Sequence, residues 1–185
     1  MNPGAGVSHT PARPYNRVIM VRSDFAVLVS DLIGFPGTRR EITLAGPLDI
    51  DLPHARTTEA PALVNARIDA TTDGVVVRGD VTADVILICT RCLAETTRTE
   101  RATFDQVYGL LESEDVEPIT GEGEIDIRPV ARDELSLSLP IMHTCRDDCL
   151  GLCPTCGTDL NSEPCSGHPD ASDSPFAALK DLLDL

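Results

Sequence analysis

Seven cysteines, five of them within residues 145–168 ("CRDDCLGLCPTCGTDLNSEPCSGH"), constrain this chain more than any other feature of its sequence. Two pairs, Cys89/Cys92 in "CTRC" and Cys153/Cys156 in "CPTCG", have the C-x-x-C spacing whose tight turn aims both sulfurs at one tetrahedral ion. Gly157 follows the second pair directly. A glycine there lets the backbone turn with positive φ, so that amide N–H groups can face the thiolates. A closed tetrahedral site takes four ligands and two sites take eight, and the seven cysteines plus His168, at C-x-x-H spacing from Cys165, make eight.

Spacing alone leaves the partition open. One arrangement joins Cys89, Cys92, Cys145 and Cys149 in a first site and Cys153, Cys156, Cys165 and His168 in a second. A rival puts a single zinc on Cys89, Cys92, Cys153 and Cys156 as a ribbon of two knuckles. His143, next to Cys145, is a substitute ligand, and Cys165 and His168 could be a spare thiol and a surface histidine. A redox pair at Cys89/Cys92 is disfavoured, because a thioredoxin-like centre opens a helix after a strand, whereas "CTRCLAETTRTE" reads as strand, turn, strand. Closed four-ligand sites leave no position for a reacting water. The expected cofactor is therefore one or two structural zinc ions, and no enzyme activity is expected.

The 185-residue chain lacks Trp and has four Phe and two Tyr, so its core must be largely aliphatic. Residues 1–17, with three prolines, read as a flexible tail. Residues 18–144 read as one mainly antiparallel β domain, and 145–185 as a cysteine-rich knuckle segment with a C-terminal helix. The overall class is α+β. "REITLAGPLDIDL" alternates with a two-residue period broken at Gly46-Pro47. "ALVNARIDA", "TTDG" and "VVVRGDVTADVILIC" read as a hairpin with Asp73-Gly74 supplying the positive φ of its turn, and "AETTRTERATFDQVYGL" as the returning strand. Residues 25–33 are too continuously apolar for period alone to separate helix from strand. The acidic stretch 112–126 reads as a solvated linker. Helices are expected at 128–139, with Pro129 in the first turn, and at 175–184, where Phe176, Leu179, Leu182 and Leu183 share a face.

A net charge of −15 repels phosphate, which handicaps unaided RNA binding, and attracts basic partners by steering that weakens with salt. The local exception is a possible basic strip of Arg39, Arg40, Arg78, Arg91, Arg98 and Arg101. No basic flank with a following apolar run opens the chain, and no apolar stretch reaches about 18 residues. A cytoplasmic protein without membrane contact is expected, and reduced thiols there favour metal binding over disulfides.

The strand ending in "CTRC", the segment "EIDIRPVARDELSLSLPIMHTC", the run Cys149–Asn161 ("CLGLCPTCGTDLN") and the closing "DSPFAALKDLL" together resemble the YceD-type large ribosomal RNA subunit accumulation protein family, in its bacterial form with a C-terminal CPxCG knuckle. The resemblance covers roughly residues 25–183. Members that lack CPxCG retain CxRC and a downstream ligand pair, which favours Cys89, Cys92, Cys145 and Cys149 as the first site. Here Cys165-Ser-Gly-His168 replaces the C-x-C common at that place, and Asp173-Ser174-Pro175 replaces Asp-Pro-Arg. The resemblance implies a non-enzymatic factor supporting large-subunit ribosomal RNA accumulation or processing. The acidic charge points to a basic ribosomal protein or another large-subunit assembly component as partner. Direct RNA binding through the arginines and knuckles, and a thiol redox protein, are the alternatives.

Overall fold

The structure, a computed structural model, describes residues 23–110 and 116–168. Nearly all of its regular structure is antiparallel β. The strands are β1 (Ala26–Leu28), β2 (Arg39–Gly46), β3 (Asp51–Leu52), β4 (Ala55–Thr57), β5 (Ala62–Ala70), β6 (Gly74–Ile88), β7 (Glu95–Gly109), β8 (Glu117–Pro118) and β9 (Glu124–Asp126). A single helix among the described residues, α1, spans Arg128–Ser138.

The organising element is β6. Along one edge it pairs with β7 over its whole length, from Gly74 opposite Gly109 to Ile88 opposite Glu95. Its other edge is shared by β5, at Val75–Thr82, and β4, at Val85–Leu87. β2 extends the sheet beyond β5, β3 extends it beyond β4, and β8 adds a short parallel pairing at the end of β7. β1 and β9 form a separate two-stranded sheet.

The two-residue period of these strands puts Val75, Val77, Val81, Val85 and Leu87 of β6 on one face, all fully buried, with Val64 and Ile68 of β5 and Phe104 and Tyr108 of β7 beside them. The opposite face of β6 carries Arg78, Asp80, Thr82 and Asp84 along its middle. Against the buried face pack α1, through Ala131 and Leu135, and Phe25, Ile125 and Ile127. Each such Leu, Ile or Phe contributes about 1.5–3 kcal/mol by leaving water. Tyr108 keeps its hydroxyl satisfied by donating to the Asp126 carbonyl at 3.0 Å.

Two expectations change here, and one reading left open is decided. The turn between β5 and β6 is centred one residue early, on Thr72 and Asp73, and is closed by the Thr71 N–H donating to the Gly74 carbonyl at 2.9 Å. Neither Asp73 nor Gly74 has positive φ. Gly74 is needed for a different reason: a Cβ there would lie 2.0 Å from the Tyr108 carbonyl oxygen of the neighbouring strand.

Second, the described part of the acidic stretch, residues 116–126, is not a solvated linker. Ile119 and Ile125 are buried, the Ile119 N–H donates to the Gly109 carbonyl at 2.9 Å, and β9 pairs with β1. These two apolar anchors, with the backbone bonds and the β9–β1 pairing, hold an acidic segment on the core.

Third, residues 25–33 are a short strand followed by turns. Phe25, Val29 and Leu32 are buried, and Val29 donates to the Gly123 carbonyl at 2.8 Å. The α1 span agrees with the helix expected before Pro140. The N-terminal tail and the 175–184 helix lie outside the described residues.

Candidate metal centres

The strand β6 delivers Cys89 into a tight turn that reverses the chain into β7. In that turn the Leu93 N–H donates to the Cys89 carbonyl at 2.9 Å, and the Cys89 N–H donates to the Ala94 carbonyl at 2.9 Å. The "CPTCG" turn repeats this pattern: Gly157 N–H to Cys153 carbonyl at 2.9 Å, and Cys153 N–H to Thr158 carbonyl at 2.8 Å. Gly157 takes φ +74°, as its position after the second cysteine requires. Leu93, the equivalent residue of the first turn, takes φ +62° and is the one described non-glycine residue with positive φ. A left-handed conformation costs a non-glycine residue about 1–2 kcal/mol. The closed turn around Cys89 and Cys92 holds it there.

Around these two turns the eight candidate ligands form two clusters. Cys89, Cys92, Cys145 and Cys149 place their ligand atoms within 4.8 Å of one another, and so do Cys153, Cys156, Cys165 and His168. In the first cluster Cys89 and Cys149 are 3.9 Å apart at sulfur, and Cys92 and Cys145 are 3.6 Å apart. The second has 3.7 Å between the Cys156 and Cys165 sulfurs, and His168 Nε2 lies 3.0 Å from Cys165 and 3.3 Å from Cys153. Zn–S bonds of about 2.3 Å in a tetrahedron separate sulfurs by about 3.8 Å, and a Zn–N bond of about 2.1 Å brings nitrogen to about 3.6 Å from each sulfur. The donor sets therefore fit zinc, and every cysteine is a free thiol rather than half of a disulfide.

The rival ribbon of Cys89, Cys92, Cys153 and Cys156 is not what the fold assembles. His143 is not a ligand of either cluster. It is buried, its Nε2 lies 2.7 Å from the Thr96 hydroxyl, and its carbonyl accepts from the Thr90 N–H at 2.8 Å. This links the approach to Cys145 with the first knuckle.

The donors and neighbouring sulfurs around each cluster pull its thiols in opposite directions. Burial opposes ionisation of Cys89, but the amide N–H groups of Cys92, Cys145 and Arg91 outweigh it and bring the thiol down to about 5. Proton sharing with Cys92, followed by burial and the neighbouring sulfurs, pushes Cys145 up to about 12. In the second cluster the Thr158 hydroxyl and amide bring Cys156 down to about 6. The sulfurs of Cys153 and Cys156 raise His168. Four acceptors this close cannot all be charged without a cation between them.

Asn161, to which the sequence reading assigns no role, ties the two clusters together. Its side-chain amide donates to Cys149 Sγ at 3.7 Å, and its oxygen accepts from the Leu150 N–H at 2.9 Å and from Arg146 at 2.7 Å. Between the clusters, Gly151 at φ +79° passes so close to Arg91 that a Cβ would meet its carbonyl oxygen at 3.0 Å, and Leu152 donates to that carbonyl. The arrangement asparagine-after-knuckle was visible in the sequence, but the contact it makes was not.

The proposed basic strip does not form. Consecutive strand residues point to opposite faces, so Arg39 and Arg40 diverge. Arg39 pairs with Asp69 at 2.8 Å, Arg78 with Asp105 at 2.8 Å, Arg101 with Asp80 at 2.9 Å, and Arg40 with Asp31. The Arg91 guanidinium donates to the Cys149 carbonyl at 2.9 Å. Nor is any helix among the described residues long and apolar enough to cross a membrane.

Comparison with known proteins places this geometry in a family. The family model described as "Large ribosomal RNA subunit accumulation protein YceD" matches residues 77–183, a span that includes most of β6, all of β7 and α1, and both clusters. The chain belongs to the YceD family. An uncharacterized YceD relative from Mycobacterium leprae is 34% identical over 132 residues, which are 67% of this chain and 60% of the relative. Uncharacterized proteins of Mycobacterium bovis and Mycobacterium tuberculosis are 30% identical over 174 residues, 88% of this chain and 83% of theirs. No solved structure matches the chain. YceD membership suggests a role in ribosomal RNA accumulation.

Proposed function

We propose that this YceD protein is a non-enzymatic cytoplasmic factor that supports accumulation and processing of large-subunit ribosomal RNA. It would act during ribosome assembly by holding a basic ribosomal protein. The family match carries the ribosomal part of this reading. Charge supports the partner: the chain carries −15, and the arginines Arg39, Arg40, Arg78 and Arg101 that might have offered phosphate a landing surface are each held by a carboxylate. A surface of this kind steers cations toward itself and repels free RNA.

Zinc in both clusters is part of the same proposal. Four thiolates around one zinc carry a net charge of −2, and three thiolates with a neutral imidazole carry −1, so metal loading keeps this end of the molecule acidic. Zinc in closed sites staples a scaffold rather than performing chemistry. Supporting this, the first cluster joins residues 53 to 60 positions apart, pinning the end of the β6–β7 ribbon to the segment after α1.

Affinity capture of the full chain from cell extract at low and at high salt tests the partner. Recovery of a basic large-subunit protein at low salt, lost at high salt, is expected. Recovery of ribosomal RNA that survives nuclease-free washing, with no basic protein present, would replace this reading with direct RNA binding.

A further inference from the structure

The two clusters share a chemistry but not a situation in the fold. Cys89 and Cys149 of the first are 0% and 2% exposed, and its four ligands come from two segments on either side of β7 and α1. The second cluster is built entirely within residues 153–168. Cys156 and His168 are exposed, Cys165 is half-buried, and Cys153 alone is covered. The backbone ladder of this knuckle ends where the Glu163 N–H donates to the Asp159 carbonyl at 3.1 Å. Among the described residues no backbone-to-backbone hydrogen bond involves Pro164 to His168. Within the described residues, the Cys165 sulfur and the His168 ring carry the contacts of this segment to Cys153 and Cys156.

We propose that the second cluster is an oxidation-sensitive metal centre, which releases its ion by forming a Cys156–Cys165 disulfide, while the first cluster is a permanent staple. The proposal rests on the zinc reading above. The oxidant class is a hydroperoxide. The exposed Cys156 thiolate attacks one peroxide oxygen, the O–O bond breaks, and a sulfenic acid and hydroxide form. Cys165, 3.7 Å away at sulfur, then displaces hydroxide from the Cys156 sulfur. Two electrons pass from the sulfur pair to the peroxide and two protons are taken up; with hydrogen peroxide, the oxidant of the test, two waters leave. The sulfurs close from 3.7 Å to about 2.05 Å, a movement that no described backbone hydrogen bond of residues 164–168 opposes. Only Cys153 and His168 then remain on the ion, too few for a closed tetrahedral site. The first cluster has sulfur pairs just as close, at 3.6 and 3.9 Å, yet β6, β7 and the segment after α1 hold it, and its two most buried thiols are closed to peroxide.

The test uses the full chain as purified. Zinc per chain is measured first. Hydrogen peroxide is then added in the presence of a chromogenic zinc indicator, and disulfides are mapped by mass spectrometry without reduction. Two zinc ions per chain, release of one of them, and a Cys156–Cys165 disulfide reversed by dithiothreitol are the expected results. Fewer than two ions at the outset defeats the zinc reading, and this proposal with it. Two ions with no release, release of both together, or a disulfide that involves Cys89, Cys92, Cys145 or Cys149 overturns the proposal alone. The variant C165S should carry one zinc that resists peroxide. If it fails to fold, disulfide mapping on the unaltered chain still decides.

Discussion

The side-chain amide of Asn161 donates to Cys149 Sγ at 3.7 Å while its oxygen accepts the Leu150 N–H at 2.9 Å, so one residue of the second knuckle holds a ligand of the first. Asn161→Ala removes a sulfur donor and leaves the Leu150 amide without its acceptor. Because Leu150 is exposed and water can replace its acceptor, a stability loss of only about 0.5–1.5 kcal/mol is expected, with zinc affinity of the first site falling about 10- to 100-fold. Chelator competition on the variant and the unaltered chain measures the second quantity, and urea unfolding the first.

Cys92→Ser should be far more damaging than an ordinary core truncation of about 2–5 kcal/mol. Zinc binding to a structural site contributes about 10–16 kcal/mol of apparent free energy, comparable with the whole stability of a domain. Cys165→Ser, confined to the exposed local cluster, should leave the melting of the sheet nearly unchanged while removing one zinc. Elemental analysis and thermal melting of both variants check the pair, and equal melting losses would contradict the division between staple and local knuckle.

Gly74→Ala tests why a glycine opens β6. The added Cβ would stand 2.0 Å from the Tyr108 carbonyl oxygen, so the β6–β7 ribbon must part at that end. A destabilisation of about 1–3 kcal/mol, or more, is expected from such overpacking. Gly121→Ala is the control, because its Cβ would meet nothing within 4 Å and its φ is not positive. It should be neutral or stabilise by up to about 1 kcal/mol through the unfolded chain. Denaturant midpoints of the two variants decide.

Asp69 links the ion-pair ladder to pH. Donation from Arg39, working against burial and aided by Arg67, holds its carboxyl below the ordinary 3.8. A carboxyl depressed by folding stabilises the protein above the unfolded value and loses that contribution as pH falls through the folded one. Asp69→Asn should therefore flatten the acid limb of a melting-temperature profile below about pH 4. It should also lower melting at neutral pH, where Arg39 and Arg67 lose their carboxylate.

Zinc loading should release protons. The Cys145 thiol, pushed up to about 12 in the metal-free cluster by Cys92 and burial, carries its proton at neutral pH and must give it up to become a ligand. Calorimetric zinc titrations in buffers of different ionisation enthalpy should differ by at least that proton, and apparent affinity should rise with pH. Identical heats in all buffers would contradict this.

Local chemistry made much of this protein legible in one dimension. C-x-x-C spacing closes a turn whatever surrounds it, so both knuckles, with a glycine at the left-handed position of the second, could be placed from sequence alone. The two-residue period likewise located β5, β6 and β7, because a half-buried strand must alternate. The membership of each cluster is another matter. Cys145 lies 53 residues from Cys92, and no local rule reaches that far; it is the return of the chain under the sheet through α1 that brings them to 3.6 Å. The same holds for Gly74, required by a neighbouring strand rather than by its own turn, and for Ile119 and Ile125, buried within an acidic run. It holds also for Arg39 and Arg40, adjacent in the chain and on opposite faces of the sheet. Spacing determined what kind of site this chain could make. Only the pairing of distant segments, driven by the burial of one sheet face, decided which residues make it.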